Sequence, residues 1–188
     1  MDFDKVIFLD TETTGINFVD NELIQVAAIT CDLNTTDMGI LSSINYYFEA
    51  AKEVNSEAAR VNGYYKGKWE SEGLFPIEPK IGAGYVIKYL TQPNTCIFCH
   101  NSSFDRAFIS IFLTRNGIPP EQQPKYFFDS ATLAALFKFK SDWEKVSLNY
   151  CATQLGVQYR RLKKHDGLDD CYFLREVFVA MMKRISVN

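Results

Sequence analysis

Three short stretches of this 188-residue chain carry acids in positions where chemistry could be done. In "FLDTETTG", Phe8 to Gly15, an apolar run ends in Asp10 and Glu12, two residues apart. Alternate residues of a strand share a face, so both carboxylates can reach one point just beyond a sheet. Taken alone, the pair could equally be ordinary turn acids. In "HNSSFDRAFISIFLTRNG", Asp105 stands three, four and seven residues before Phe108, Ile109 and Phe112, which predicts a helix with Asp105 on its apolar side. The simpler alternative is a helix-start acid favoured by the macrodipole. In "KKHDGLDDCYFLREVFVAMM", Asp170 is in helical phase with Phe173, Leu174, Val177, Phe178 and Met181. Its neighbour Asp169 is in phase with Glu176 and Lys183, so Asp170 is expected to face the core and Asp169 the water. His165 precedes this helix and is expected on the loop leading into it, overhanging the same point.

Four acids on three inward-facing element ends cannot all stay ionised without cations, because desolvation and mutual repulsion oppose their charge. An all-oxygen donor set suits Mg²⁺ or Mn²⁺. Two such ions about 3.5–4 Å apart can activate water and steady a leaving oxygen. A neutral histidine nearby can take the water's proton.

The motifs "DTETTG", "HNSSFD" and "HDGLDD" resemble the three exonuclease motifs of the DnaQ-like, or DEDDh, 3′-to-5′ exonucleases, in the family's order and over nearly the whole chain. That resemblance implies an α/β fold of ribonuclease H type, a mixed β-sheet flanked by α-helices. It implies that Asp10, Glu12, Asp105 and Asp170 hold two metal ions and that His165 is the general base. Thr13, Gly15, Val61 and Asn62 become candidates for lining the terminal-nucleotide pocket, the last two from "SEAARVNGY", which resembles a further family segment. The implied activity is hydrolysis of phosphodiesters from a free 3′ end, most naturally of single-stranded nucleic acid, with release of nucleoside 5′-monophosphates. DNA and RNA stay open as substrates, as does an exoribonuclease resembling ribonuclease T or oligoribonuclease. The rival from another class is a non-catalytic polymerase- or complex-binding subunit, which should lack one or more of the acids. Association with a polymerase, or as a homodimer, is also left open.

Elements must position these groups. "KVIFL" reads as a central strand covered on both faces, with "LIQVAAITC" and "ILSSINYYFEA" as further strands. A short helix follows, with Ser56 as its expected cap and Gly63 as its stop. Residues 65–79 read as a surface loop. Beyond them come a helix in "IEPKIGAGYVIKYL", a strand at "TCIFC", a helix over about Ser103 to Asn116, a strand at "KYFF" and three helical stretches. The alternation is that of an α/β protein, and one domain over residues 1–188 is expected.

A net charge of −3 argues against holding long nucleic acid by bulk charge. The run Arg160, Arg161, Lys163 and Lys164 before His165 is a local candidate for phosphate contact. Five unframed cysteines and no apolar run near about 20 residues predict a cytoplasmic protein with free thiols and no membrane partner. Cys96-x-x-Cys99 with His100 suggests zinc only superficially, since a strand sends the two sulfurs to opposite faces. Asp129 reads as a structural helix-start acid.

Overall fold

A computed structural model describes residues 2–140, 143–159 and 166–186. Five strands form one sheet: β1 (Lys5–Thr13), β2 (Leu23–Asp32), β3 (Ile40–Tyr47), β4 (Thr95–Cys99) and β5 (Phe127–Asp129). Their order is β3-β2-β1-β4-β5, with β1 antiparallel to β2 and β2 to β3, and with β4 and β5 parallel to β1. The helices are α1 (Ser56–Asn62), α2 (Lys68–Ser71), α3 (Pro79–Leu90), α4 (Ser102–Arg115), α5 (Ser130–Lys140), α6 (Leu148–Leu155) and α7 (Gly167–Ser186). This is the expected mixed α/β sheet with flanking helices.

The continuous apolar run of β1 follows from its central place. Ile7 and Leu9 face one layer with α3 and α4, against Val86, Leu90, Phe108, Ile109 and Leu113. Val6 and Phe8 face the other layer, against Leu174 and Phe178 of α7. Both faces are dry, so neither parity can be polar until the strand passes the end of the core. The cysteines obey the same alternation. Cys99 belongs to the first layer and Cys96 to the second, and all five cysteines are buried and free.

Two local expectations are corrected. Asn55, not Ser56, caps α1, its side chain accepting from the Glu57 amide at 2.8 Å. The helix stops at Gly63 as expected, in the left-handed region with φ of 66°. Residues 65–79 are no plain surface loop. They contain α2, whose Trp69 is buried beside Tyr64 and Ile24 and donates its indole N–H to the Phe48 carbonyl at 3.0 Å. The two buried aromatics, Tyr64 and Trp69, stand five residues apart, which is no helical period, so periodicity alone does not detect them. Among the described residues no helix is long and apolar enough to cross a membrane.

Gly82 sets how closely α3 meets the sheet, because a Cβ at this position would lie 2.3 Å from the Phe48 ring. Gly82→Ala is expected to destabilise the protein by about 1–3 kcal/mol through overpacking, read from its denaturant midpoint. An unchanged midpoint would mean that Phe48 can move aside freely.

Candidate active site

The site arises where β1 outruns β4. The two strands pair from Lys5↔Thr95 to Phe8↔Phe98, whereas β1 continues to Thr13 with only β2 beside it. Asp10 and Glu12 lie on the α7 parity of this overhang and Thr11 on the α4 parity. The edge that β4 leaves uncovered is filled by the start of α4. Buried Asp105 accepts the Thr11 hydroxyl at 2.8 Å, and a backbone hydrogen bond from Thr11 further favours its charged form.

Carboxylate oxygens of Asp10, Glu12 and Asp170 all lie within 4.8 Å of one another. Asp105 is outside that tight group but lines the same cavity of about 390 Å³. Thr13, Gly15, Val61 and Asn62 line it too, joined by Ile16, Phe104 and His100. His165 and the basic run 160–165 lie outside the described residues.

Each wall has a local cause. The entry to α4 is held by Asp129, whose Oδ1 accepts from the Asn101 amide at 2.8 Å and the Ala131 amide at 3.0 Å. Burial works to raise the Asp129 pKa, but these amides and the Thr132 hydroxyl outweigh it and hold the acid below its ordinary value. It therefore caps α5 as expected and also sets the turn that delivers Asp105. Helix α1 is tied at both ends: the Asn55 amide donates to Thr14 O at 3.0 Å and the Asn62 side chain donates to Thr13 O at 2.9 Å. Gly15 has a packing reason to be glycine, since a Cβ there would lie 2.4 Å from Asn21 Oδ1. The start of α7 is capped by Asp166, whose side chain accepts from the Leu168 amide at 3.1 Å. It is seated on β2, where a Gly167 Cβ would lie 3.1 Å from Ala27.

Asp170 shares its helix face with buried Phe173, Leu174, Val177, Phe178 and Met181, as its phase predicts. Asp169 differs from expectation: it is 7% exposed and accepts the Tyr159 hydroxyl at 2.7 Å. The reason is that α7 is covered on two sides, by the sheet through Leu174 and Phe178 and by α6 and its surroundings through Phe173 and Val177. A one-sided helical reading cannot see the second cover.

Sequence reasoning also missed Lys68 and Gln25, and it weighed His100 only as a zinc ligand, not as part of this site. Lys68 is buried, donates to Asn62 O at 2.9 Å and lies 4.9 Å from the Trp69 ring centroid. Gln25 is buried beneath the site and donates to Asn45 at 2.8 Å. His100 Nδ1 is 2.9 Å from Ser130 Oγ, and the ring has a backbone hydrogen bond with Val146. Burial holds the His100 pKa below its ordinary value, although Asp129 opposes the shift. With its ring so engaged, His100 is a strut of the site rather than a base. Neither Lys68 nor Gln25 stands in a periodic pattern that would have singled it out.

Burial pushes Glu12 up to about 8, reinforced by the Asp170 charge, and pushes Asp105 up to about 7. Both folded values lie above the unfolded ones, so the metal-free fold holds these protons more tightly than the unfolded chain does. Their contribution to stability is complete at acid pH and is lost as pH climbs from about 4 through these values. A cation must displace the same protons. In chelator, the thermal midpoint should fall from pH 5 to pH 8, and Mn²⁺ should restore it at progressively lower concentration as pH rises. A Mn²⁺ midpoint independent of pH would refute the protonated acid cluster.

A family model described as Exonuclease, RNase_T, matches residues 7–178. The chain belongs to this exonuclease family, of DnaQ-like type, and is a hydrolase of the nuclease class. It is 26% identical over 196 residues to ribonuclease T of Photorhabdus laumondii, covering 95% of this chain and 83% of that protein. It is 24% identical over 187 residues to a PolC-type DNA polymerase III of Thermotoga petrophila, covering 97% of this chain but 12% of that protein. Its fold matches Escherichia coli exonuclease I in complex with a dA16 oligonucleotide at a TM-score of 0.80 and 18% identity. That alignment covers 96% of this chain and 41% of the exonuclease I chain, so the likeness concerns about two fifths of that protein.

Proposed function

We propose that this exonuclease removes nucleotides from the 3′ end of single-stranded nucleic acid, using two divalent cations, Mg²⁺ or Mn²⁺, held by Asp10, Glu12, Asp105 and Asp170. The observation that carries this reading is the convergence of the Asp10, Glu12 and Asp170 oxygens with Asp105 on one cavity at the open edge of β1. The donor set fits such ions, being all oxygen and anionic when deprotonated. When bound, the cations would supply Lewis-acid polarisation of the attacking water and charge neutralisation at the phosphate. The chain's own residues do the rest. Thr11 and the Asp129-braced turn keep Asp105 aimed at the cavity, while Asn62 holds α1 against Thr13 and donates to Glu12. Exposed Ile16 and Val61, with Phe104, offer apolar surface on the cavity wall to a terminal base. His165 is assigned as the base that takes the water's proton.

The relatives leave the sugar open, since one is a ribonuclease and the fold match is a complex with DNA. Discrimination would rest on contacts to one 2′-hydroxyl. A non-catalytic subunit is the weaker reading, because all four acids are retained. One catalytic unit over residues 1–188 is part of the proposal.

The test uses 5′- and 3′-labelled single- and double-stranded DNA and RNA with Mg²⁺, Mn²⁺ or excess chelator. Stepwise shortening from the 3′ end with mononucleotide release, abolished by chelator and by Asp170→Asn, is expected. Internal cuts, or full activity in chelator, would overturn the reading. His165→Ala should lower kcat by about 10²–10⁴-fold while Mn²⁺ binding is kept. Near-parental turnover would remove His165 from the mechanism.

A further inference from the structure

Helix α1 makes one wall of the cavity, through Ala58, Val61 and Asn62, without being held there by burial. It is seven residues long and buries none of them, and a helix that short is not stable by itself. Its position is therefore set by what its ends are tied to. The Asn55 amide and the Asn62 side chain tie it to the end of β1 and the residue beyond, at Thr14 O and Thr13 O. The last carbonyls of a helix lack partners within it, and that of Asn62 accepts from the Lys68 ammonium at 2.9 Å.

Lys68 stands on a fixed base. The Gly67 amide before it donates to Glu49 Oε1 at 2.8 Å, and the Trp69 indole after it is bound to the Phe48 carbonyl and packed against Tyr47, with 4.7 Å between ring centroids. The ammonium lies over the Trp69 ring, and the residue is 6% exposed. A hydrogen bond from a charged donor is among the stronger ones, and here water has little access to replace it. The same charge favours the ionised form of Glu12, to which the Asn62 side chain donates. Lys68 thus ties the α1 wall to the segment after β3 while the Asn62 side chain ties it to β1, and both ties meet at one residue. The wall cannot draw away from the acids without breaking a charged bond in a dry place.

We propose that Lys68 is a positioning residue for the terminal nucleotide: by holding the Asn62 carbonyl it fixes the distance between the α1 wall and the acids, and so the width of the slot that nucleotide enters. The inference rests on the reading of this cavity as the 3′-terminal site, and the experiment separates the two. Lys68→Met keeps the aliphatic stem and removes the ammonium. KM for a 3′-labelled oligonucleotide is expected to rise about tenfold, the scale of one hydrogen bond to a charged group, with kcat at saturating oligonucleotide and Mn²⁺ within about threefold of the parent. The inhibition constant of a nucleoside 5′-monophosphate, which would fill that slot alone, should rise by the same factor. Without substrate or metal, amide hydrogen exchange over residues 58–62 should quicken by about tenfold while that of β1 stays as it was. An unchanged KM, a rise in KM that the mononucleotide does not share, or unaltered exchange in α1 would overturn the proposal. Loss of the cooperative thermal transition would overturn it as well, since Lys68 would then serve the fold as a whole. A parent protein without 3′ exonuclease activity would instead overturn the reading of the cavity, and the exchange rates would still decide whether Lys68 holds α1.

Discussion

The site depends on a difference in strand length. β1 runs past the end of β4, and a strand that outruns its neighbour exposes backbone donors which must find other partners. Here Thr11 gives its backbone and hydroxyl to Asp105, so the unmet valence of a sheet edge becomes the bond that anchors one acid. The same overhang carries Asp10 and Glu12 past the apolar layers to the wall of the cavity, where their charges can be met by something other than protein. Had β4 continued to Thr13, the edge would have been closed by backbone and α4 would have had no reason to present a carboxylate.

Around that edge the molecule relies on polar ties more than on apolar packing. Helix α1 buries no residue fully and is held by Asn55 and Asn62 to the backbone of residues 13 and 14. The α4 entry hangs on Asp129, and the α7 entry on Asp166. Such ties fix direction better than apolar contacts do, because a hydrogen bond fails with angle as well as distance. This suits a place where several carboxylates must point at one spot against their mutual repulsion.

What could be read from the amino-acid order was whatever repeats with a period. The two-residue step from Asp10 to Glu12 and the helical phases of Asp105 and Asp170 are periodic, and the structure brings these residues to one cavity. The run of β1 was legible for the same reason. Asp169 was misread because its cover comes from α6 and Tyr159, elements whose position no local period encodes. Lys68 and Trp69 were hidden in a stretch without repeat, and Asn55 was passed over for its neighbour Ser56, an equally good capping residue by type. Long-range partners such as Gln25 with Asn45, or Thr11 with Asp105, exist only once the chain has folded.

The cysteines have a use that their chemistry as ligands would have denied them. Cys96 and Cys171 sit in the layer between sheet and α7, Cys99 in the layer under α3 and α4, and Cys151 in the seam between α6 and α7. Burial pushes Cys96 and Cys151 up to about 11, and Cys99 and Cys171 well above the ordinary thiol range. Alkylating reagents attack the thiolate, so all four are silent while the layers stay shut. Each becomes reactive only when its own layer opens. With Cys31 as a third thiol in the layer against α7, the chain carries a set of internal reporters, one to three per layer, whose separate labelling rates would reveal whether the layers breathe independently or part together.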